Sequence, residues 1–305
     1  MELRHLRYFL TVAEELNMTR AAARLGIGQP PLSQQIKDLE KEMGVKLFHR
    51  IPQGVELTEA GTAFLEKIRP IPGLVSQAVQ AAQRAGRGES GMLHLGFNGT
   101  AAINPIFPKA IRAFRERYPE VALRLDEANS VRLIASLMDG SVDVALLRPN
   151  PSDPEELQTY PLVDERLIAA LPDDWLRDPE RWGLGFAEDG SVHLPSLKTA
   201  PMVLTPRNLG IALHDEILKV CRDAGFSPVL GQPAPQIASI LSIVSAGMGY
   251  SLLPETMQQL SVKGVSFRHI HGEPLLVHLS IMYLRSNLSP IVHNFVQHLR
   301  NQASG

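Results

Sequence analysis

The stretch "GQPPLSQQIKDLEKEMG", residues 28–44, decides how the N-terminal part of this chain folds. Pro30 and Pro31 stand side by side, directly before an amphipathic segment. Proline is tolerated in the first turn of a helix, because the N–H groups there have no intrahelical acceptor. We therefore predict that the two prolines mark the start of a helix.

The predicted helix has an apolar face and a polar face. The apolar residues recur at helical spacing and form a stripe that packs against a core: Leu32, Ile36, Leu39 and Met43. The residues that point away from the stripe are Pro30, Ser33, Gln34 and Lys37, with Gln29 at the exposed tip. Amide and hydroxyl groups carry the donors and acceptors that read base edges in DNA.

A second helix precedes this one across a short turn. Thr19 is predicted to cap an alanine-rich helix, which ends at the turn Gly26-Ile27-Gly28. Two helices joined by such a turn indicate a helix-turn-helix, whose second helix enters the major groove. The alternative from this stretch alone is an ordinary surface helix with a polar face.

The next segment, "VKLFHRIPQGVELTEAG" (residues 45–61), predicts a short hairpin with Gly54 near its tip. A hairpin after the reading helix forms a wing, and the basic residues Lys46, His49 and Arg50 suit DNA phosphates. Thr58 is predicted to cap a further helix, with Glu59 in its first turn.

The chain resembles the LysR-type transcriptional regulators. The resemblance covers the whole chain and is carried by "LRYFLTVAEELNMTRAAARLGIGQPPLSQQIKDLEKEMGVKLFHR" and "LTEAGTAFL". The opening MELRHLRYF and the doubled proline resemble the branch that controls the degradation of aromatic compounds. Gln34 and Gln53 depart from the family, which often has arginine at both positions. Fewer fixed charges predict weaker non-specific DNA binding.

The resemblance implies a division of labour among the DNA-contacting residues. Gln29, Ser33 and Gln34 are expected to read bases, and Thr19, Arg20, Lys37 and Arg50 to hold phosphates. Pro30 and Pro31 at the helix tip and Gln53 in the wing complete the expected interface.

The family also implies the domain organisation. We expect a winged helix-turn-helix in residues 1–58 and a linker helix for dimerisation, with its hinge, in residues 59–90. Pro70, Pro72 and Gly73 are expected to kink or break that helix, because an interior proline costs roughly 3 kcal/mol.

From Met92 onward, strands alternate with amphipathic helices, a pattern typical of parallel α/β units. The resemblance implies an effector-binding domain over residues 91–305, with two α/β subdomains like those of a periplasmic binding protein. We place the first subdomain at residues 92–163 and 269–305, and the second at 164–268.

Ligands of open α/β sheets bind beyond the carboxyl ends of the strands, where helix N-termini favour carboxylates. Three segments meet that description and match effector-binding segments of the family. Their candidate residues are Asn98, Gly99 and Thr100, then Ser130, then Pro206, Arg207, Asn208 and Leu209. Thr100 or Ser130 alone could equally be a helix cap, and Arg207 could be solvated. Arg148 ends a strand near the same crevice and is a candidate counter-ion, although a surface salt bridge would also explain it.

The rest of the sequence narrows the function classes. Lysine and arginine outnumber aspartate and glutamate by 12 to 10 in residues 1–90, and the reverse holds at 18 to 22 in residues 91–305. That difference weakly favours DNA contact by the N-terminal part. No apolar run approaches the roughly 18 residues of a membrane span, no export signal is apparent, and Cys221 stands alone, so we expect a cytoplasmic protein.

No catalytic or metal-binding motif is present, and His269 and His271 alternate on a predicted strand. We expect no enzyme, cofactor or metal. The sequence predicts a ligand-responsive DNA-binding regulator that binds a small, possibly aromatic carboxylate. By analogy with the family it would be an activator and a homotetramer built from homodimers, with RNA polymerase as a partner. The alternative is a solute-binding protein with an accessory helical domain, and an enzyme that uses the crevice is more distant.

Overall fold

The computed structural model describes residues 1–303, so residues 304 and 305 of the expected effector domain lie outside the described residues. The chain divides into two compact units. The first comprises Met1–Gln83 and the second begins at Arg84. The second unit therefore includes the last residues of the segment that we expected to be linker.

The first unit consists of short helices and one hairpin. Its helices are α1 (Leu3–Glu15), α2 (Met18–Leu25), α3 (Gln29–Met43), α4 (Glu59–Ile68) and α5 (Ile71–Gly86), the last of which extends into the second unit. Its strands are β1 (Phe48–Ile51) and β2 (Gly54–Leu57), which pair antiparallel. One apolar core joins α1, α2, α3 and the hairpin around the fully buried Phe9.

Helix α2 begins two residues earlier than the predicted cap, Thr19, would place it. The cap is Asn17, whose side chain accepts hydrogen bonds from the backbone N–H groups of Thr19 (3.0 Å) and Arg20 (3.1 Å). The prediction that Thr19 caps this helix is therefore wrong. An asparagine carbonyl serves the same purpose, and the Thr19 side chain remains exposed on the first turn.

Helix α3 begins where the doubled proline predicts. Its N-cap is Gly28, which offers no side-chain hydrogen bond, and Pro30 and Pro31 follow at once. The two prolines carry no N–H, so they remove two of the donors that a helix start leaves without partners. The tip of α3 thus needs no side-chain cap, and the Gln29 side chain is exposed at that end.

The hairpin packs against the end of α1. Leu16, in a left-handed conformation, directs its carbonyl at the backbone N–H of Val55, which donates to it at 3.0 Å. Gly54 has φ 151°, and a side chain there would collide with the same carbonyl. Glycine at the predicted tip is therefore required by a close backbone approach.

A buried carboxylate fixes α3 to the hairpin. Glu40 accepts hydrogen bonds from the backbone N–H groups of Leu47 (2.9 Å) and Phe48 (3.2 Å), and from the Lys46 ammonium at 2.7 Å. Burial alone would raise the pKa of Glu40, but these hydrogen bonds outweigh burial and hold the pKa below the ordinary 4.5. The reading helix and the wing are therefore held together by one acidic side chain.

The helix after the wing is interrupted. Helix α4 ends at Ile68 and α5 begins at Ile71, with Pro70 between them. Helical hydrogen bonding resumes where the Leu74 N–H donates to the Pro70 carbonyl at 3.1 Å. The interruption lies where two prolines remove backbone donors, as their chemistry predicts.

The second unit alternates helices and strands. Its helices are α6 (Gly99–Ile103), α7 (Ile106–Arg117), α8 (Ser130–Met138), α9 (Asp173–Arg177), α10 (Ile211–Asp223), α11 (Ile237–Ser245) and α12 (Pro290–Ala303), with 3-10 turns at Glu180–Trp182, Leu194–Leu197 and Glu255–Leu260. Its strands are β3 (Ser90–Phe97), β4 (Glu120–Glu127), β5 (Val144–Leu147), β6 (Leu157–Pro172), β7 (Pro201–Met202), β8 (Val229–Leu230), β9 (Ser251–Pro254), β10 (Val265–His269) and β11 (Leu276–Leu284).

The main sheet is mixed. Strand order is β10-β6-β11-β5-β3-β4, and β9 also pairs with β6. Strand β3 runs parallel to β4 and β5, as the βα alternation predicts, whereas β6 and β11 are antiparallel to their partners. The predicted parallel units are thus present in β3, β4 and β5, and the antiparallel direction belongs to the long strands β6 and β11.

Strand β6 passes between two separate cores. Leu162 packs in a core with Phe114 and Phe295. Leu167, five residues further along, packs in another core with Trp175. Strand β11 makes the same change between Val277 and Leu279. Two α/β subdomains thus share two crossing segments, and the change of core brackets the expected boundary after residue 163. No helix within residues 1–303 is both long enough and apolar enough to cross a membrane.

The Glu40 bridge generates a stability prediction. Glu40→Ala leaves two buried N–H groups without an acceptor, so we expect local stability around the wing to fall by about 2 kcal/mol. Hydrogen exchange at the Leu47 and Phe48 amides should then accelerate roughly thirtyfold. Because the folded pKa of Glu40 is lowered, its contribution is present above the ordinary 4.5 and is lost as pH falls through the lower folded value.

Glu56→Gln is the matched control, because Glu56 is an exposed acid on the same hairpin. Unchanged exchange at Leu47 and Phe48 in Glu40→Ala would show that the carboxylate does not hold the wing.

Candidate functional site

The polar face of α3 is open to solvent as predicted. Gln29, Pro30, Pro31, Gln34 and Lys37 are exposed, and Ser33 is half-buried. On the opposite face Leu32, Ile36 and Leu39 are buried. The predicted reading residues therefore form one continuous strip from the tip of the helix.

Hydrogen bonds within this strip pre-position two of its amides. The Gln29 amide lies 3.4 Å from the Ser33 hydroxyl, and the Gln34 amide donates to the Asp38 carboxylate at 2.8 Å. These contacts are local and exposed, so base edges can replace them at little cost. Asp38 was not among the predicted residues. Its carboxylate lies beside the polar strip and repels DNA phosphates, which lowers the affinity for non-specific DNA.

The candidate phosphate contacts differ in how free they are. Lys37 and Arg50 are exposed and form no ion pair within the described residues. Arg20 is already engaged, because its guanidinium donates to the Glu15 carbonyl at 2.6 Å and lies 3.5 Å from the Glu15 carboxylate. Lys37 and Arg50 are therefore better placed than Arg20 to neutralise a phosphate. In the wing, Gln53 is exposed in the turn between β1 and β2.

In the second unit, the structure brings three of the candidate effector residues together. The Asn98 side chain accepts a hydrogen bond from the Thr100 hydroxyl at 2.9 Å and donates to the Ser130 hydroxyl at 3.3 Å. These residues follow β3 and β4, which pair in parallel. The carboxyl ends of two neighbouring strands thus meet at one polar cluster, as predicted for a ligand site.

The capping alternative for Thr100 and Ser130 is wrong. Asn98 caps α6 by accepting from the Ala101 N–H at 2.9 Å, and Asn129 caps α8 by accepting from the Arg132 N–H at 2.9 Å. The hydroxyls of Thr100 and Ser130 are therefore not used as caps. Their binding role stays a prediction.

A further acid lies close to this cluster. A side chain at Gly99 would sit 3.5 Å from a carboxylate oxygen of Glu127, the last residue of β4. The start of α6 therefore lies beside the end of β4. Glu127 could not be predicted as a neighbour of this cluster, because nothing in the sequence alone aligns the end of β4 with Gly99.

The third candidate segment, residues 204–210, precedes α10. Ile103 of α6 packs against a core cluster of the other subdomain that includes Val203, so α6 borders the crevice between the subdomains. Pro206 and Leu209 are half-buried and Asn208 is exposed. The segment closes on itself through the Leu209 N–H, which donates to the Pro206 carbonyl at 2.9 Å.

Arg207, a candidate effector residue of this segment, is paired with a carboxylate. Its guanidinium makes a two-pronged contact with Asp215, with Nε–Oδ1 and Nη2–Oδ2 distances of 2.8 Å. The hydrogen bond from Arg207 holds the pKa of Asp215 below its usual range. A ligand that uses Arg207 would have to share or displace this exposed pair, and the binding role of Arg207 stays a prediction.

Arg148 is buried, and the surface salt bridge that we considered for it is wrong. Its Nη2 donates to the Glu165 carboxylate, which also accepts from the Thr256 hydroxyl. Both charged side chains are almost fully inaccessible, at 4% and 3% exposure. Arg148 follows β5, Glu165 lies in β6, and Thr256 lies in the 3-10 turn Glu255–Leu260. The contacts therefore connect the two subdomains through β6, the strand that they share.

Two features bear on catalysis and redox chemistry. Cys221 is buried, and burial raises the pKa of its thiol to about 11, which makes the thiol a poor nucleophile. His271 stacks edge-on against His193 at 4.6 Å, while His269 lies near Glu255. Residues 1–303 contain no cluster of three side chains suited to a metal ion.

Comparison with known families finds two matches that together span almost the whole chain. Residues 3–62 match a family model described as a bacterial regulatory helix-turn-helix protein of the lysR family. Residues 86–304 match the LysR substrate binding domain.

Similar proteins have the same length and arrangement. The uncharacterized HTH-type transcriptional regulator YnfL of Escherichia coli (strain K12) is 37% identical, over 99% of this chain and 98% of the relative. The HTH-type transcriptional regulator AlsR of Bacillus subtilis (strain 168) is 35% identical, over 99% and 96%. The HTH-type transcriptional regulator ClcR of Pseudomonas putida is 32% identical, over 97% of each.

Solved structures agree with the fold. Full-length CbnR in complex with its target DNA has a TM-score of 0.81 and 28% identity, and the match covers 99% of this chain and 100% of that one. Full-length BenM has a TM-score of 0.60 and 27% identity, covering 100% and 97%.

Proposed function

The chain belongs to the LysR family of transcriptional regulators, and from that premise we propose how its own residues bind DNA and a ligand. It is a DNA-binding regulator with an effector-binding domain and not an enzyme. The solute-binding and enzymatic alternatives are set aside, because residues 3–62 match the regulatory helix-turn-helix of this family.

The proposed DNA contacts follow from exposure. Gln29, Ser33 and Gln34 read base edges from the tip of α3, where the prolines leave the helix end uncapped. Lys37 and Arg50 bind phosphates, with Thr19, Arg20 and Gln53 at the margins. The observation that supports this assignment is the continuous polar strip on α3 opposite a buried apolar face.

The proposed ligand is a small carboxylate with an aromatic or other apolar body, and it binds at Asn98, Thr100 and Ser130. The linked hydroxyl and amide groups supply donors, and the neighbouring Phe107 and Ile103 supply apolar surface. Glu127, exposed near Gly99, can accept a hydrogen bond from a ligand that also carries a hydroxyl. A ligand held there would alter how the two subdomains sit about β6 and β11.

The proposed assembly is a homodimer that pairs into a homotetramer. None of the residues of α5 is buried, and Leu74, Val75 and Val79 are exposed to 58%, 40% and 50%. A helix with an uncovered apolar stripe is typical of a dimerisation surface. Activation through RNA polymerase and a cytoplasmic location complete the proposal.

The basic test is a gel shift of the full chain with the upstream region of its own gene. We expect a specific complex that survives excess random DNA. If random DNA at the same concentration as the upstream region abolishes the complex, the proposal of a sequence-specific regulator is contradicted.

The reading role of Gln29 predicts a selective loss. Gln29→Ala should weaken binding to the specific site by roughly 1–3 kcal/mol and hardly alter binding to random DNA, because only base contacts discriminate sequences. Lys37→Ala is the matched control on the same helix. It should weaken both affinities and reduce the salt slope by about 1. Equal losses on both DNAs in Gln29→Ala would make Gln29 an anchoring contact only.

The ligand site predicts a hydroxyl effect. Thr100→Val keeps the shape of the side chain and removes its hydroxyl, so affinity for a benzoate-, muconate- or hydroxyaromatic-like acid should fall about tenfold. Calorimetry with a panel of such acids measures this, with Thr62→Val of α4 as the control. If no acid of the panel binds, or if one binds Thr100→Val as tightly as the wild type, this placement of the site is wrong.

A further inference from the structure

Asp38 and Gln34 form a pair on the exposed face of α3. The Gln34 side-chain amide donates to the Asp38 carboxylate at 2.8 Å, and both side chains are exposed. An ionised carboxylate can only accept hydrogen bonds, so the nitrogen of the amide, and not its oxygen, must face Asp38. The contact therefore fixes which way round the Gln34 amide lies.

Asp38 differs from the other two acids of α3. Glu40 is paired with Lys46, and Glu42 is paired with the N-terminal amine. Asp38 forms no ion pair within residues 1–303, where its carboxylate accepts from the Gln34 side chain alone. A negative charge without a basic partner weakens the attraction of this face to DNA phosphates. The one contact that Asp38 makes is therefore with a proposed reading residue.

This contact decides which groups of Gln34 remain for DNA. An amide has two N–H donors and one carbonyl acceptor. Because Asp38 takes one donor, one N–H and the carbonyl oxygen remain for a partner outside the protein. A free glutamine side chain samples many rotamers, and ordering it costs entropy on binding. The hydrogen bond to Asp38 restricts those rotamers before DNA is bound.

The four bases differ in the groups that they present in the major groove. Adenine presents the N7 acceptor beside the N6 donor, which matches one N–H and one carbonyl oxygen. Guanine presents two acceptors, N7 and O6, and would need both N–H groups of the amide, including the one that Asp38 holds. Cytosine presents only a donor and thymine only an acceptor, so each uses half of the remaining pair. The Gln34 amide therefore matches adenine.

A base edge can replace the exposed bond between Gln34 and Asp38, but a base that leaves it in place has the advantage. Displacement by guanine would leave the Asp38 carboxylate without a donor, near the acceptors of the base that displaced it. Hydrogen bonds to an ionised acceptor are also stronger than those between neutral groups. Adenine needs no such displacement.

We propose that Asp38 is a positioning residue for DNA recognition, which orients the Gln34 amide so that Gln34 reads an adenine. Gln34 donates one N–H to adenine N7 and accepts from the adenine N6 amino group, while Asp38 holds the other N–H. Asp38 itself does not touch the base. The proposal rests on the proposed function, because it names the base that one residue of the α3 strip selects.

The test starts from duplexes with a randomised central segment, from which the full wild-type chain enriches its binding sequence. Each base pair of that sequence is then replaced in turn, and competition gel shifts measure the relative affinities. The Gln34 position is the base pair at which Gln34→Ala loses the wild-type preference. There we expect the wild type to bind adenine about tenfold more tightly than guanine.

Asp38→Ala tests the positioning role. It should lower the preference for adenine over guanine at the Gln34 position to about threefold or less, and it should leave the preferences at other base pairs unchanged. Glu42→Ala is the matched control, since it removes an exposed acid of the same helix away from the polar strip, and it should keep the wild-type preference. Pairs on a helix surface contribute little to folding stability, so these variants fold.

A double variant separates positioning from direct reading. Gln34→Ala combined with Asp38→Ala should have the base preferences of Gln34→Ala alone, because Asp38 acts only through Gln34. A further loss of base preference in the double variant would make Asp38 a base-reading residue and overturn the proposal.

Other results would also overturn the proposal. One is a Gln34 position that prefers a base other than adenine, or the absence of any base pair that depends on Gln34. Another is an adenine preference that Asp38→Ala leaves at the wild-type value. In each of these cases a binding sequence is enriched, so the proposed function stands and only the role of Asp38 fails. If the wild type enriches no sequence, the proposed function is contradicted and the role of Asp38 falls with it.

Discussion

The burial of one face of α3 is the constraint on which the DNA-binding unit depends. Leu32, Ile36 and Leu39 lie in the core around Phe9, so the helix cannot rotate about its axis without exposing them. Because successive residues of a helix turn by a fixed angle, burying these three dictates that Gln29, Gln34 and Lys37 face outward. The same helix supplies Glu40, which holds the wing in place. The packing of α3 into the core therefore also determines which face of the helix is exposed and where the wing lies.

The second unit depends on a comparable constraint at larger scale. Strand β6 is hydrogen-bonded to β11 along its first part and to β9 and β10 along its second. A continuous strand that serves two cores cannot let one subdomain move without bending or twisting at the junction. The Arg148, Glu165 and Thr256 contacts lie at that junction and link both subdomains. A ligand that changes their arrangement would act on the hinge directly.

Much of the fold could be predicted from the sequence, and the failures have physical reasons. The periodicity of α3, the Pro30–Pro31 start and the interruption near Pro70 are local signals, and the structure contains all three. The predicted cap of α2 was wrong by two positions. Asn17 and Thr19 both carry suitable acceptors, and only the backbone angles decide which of them caps the helix. The antiparallel direction of β6 and β11 could not be predicted, since strand direction depends on pairing between residues far apart in sequence.

The sites were predictable to different degrees. The exposed strip of α3 follows from a single helix, whereas Glu40 gave no signal, because it lies beside Leu39 and only the hairpin eight residues later buries it. The Asn98, Thr100 and Ser130 cluster was found, because parallel strands bring their carboxyl ends together. The ion pairs Arg207–Asp215 and Arg148–Glu165 were not predicted, since the packing of the fold brings the residues of each pair together.

The central claim, that the tip of α3 reads DNA, can be tested by directed cleavage. Cys221 is buried, so a cysteine placed on the surface is the only accessible thiol for a DNA-cleaving iron chelate. Gln29→Cys puts the reagent at the tip of α3, and Lys41→Cys puts it roughly 18 Å further along the same helix. On the chain's own upstream DNA, we predict focused cleavage within the bound site from position 29 and little from position 41. Equal cleavage from both positions, or cleavage from position 41 alone, would contradict it.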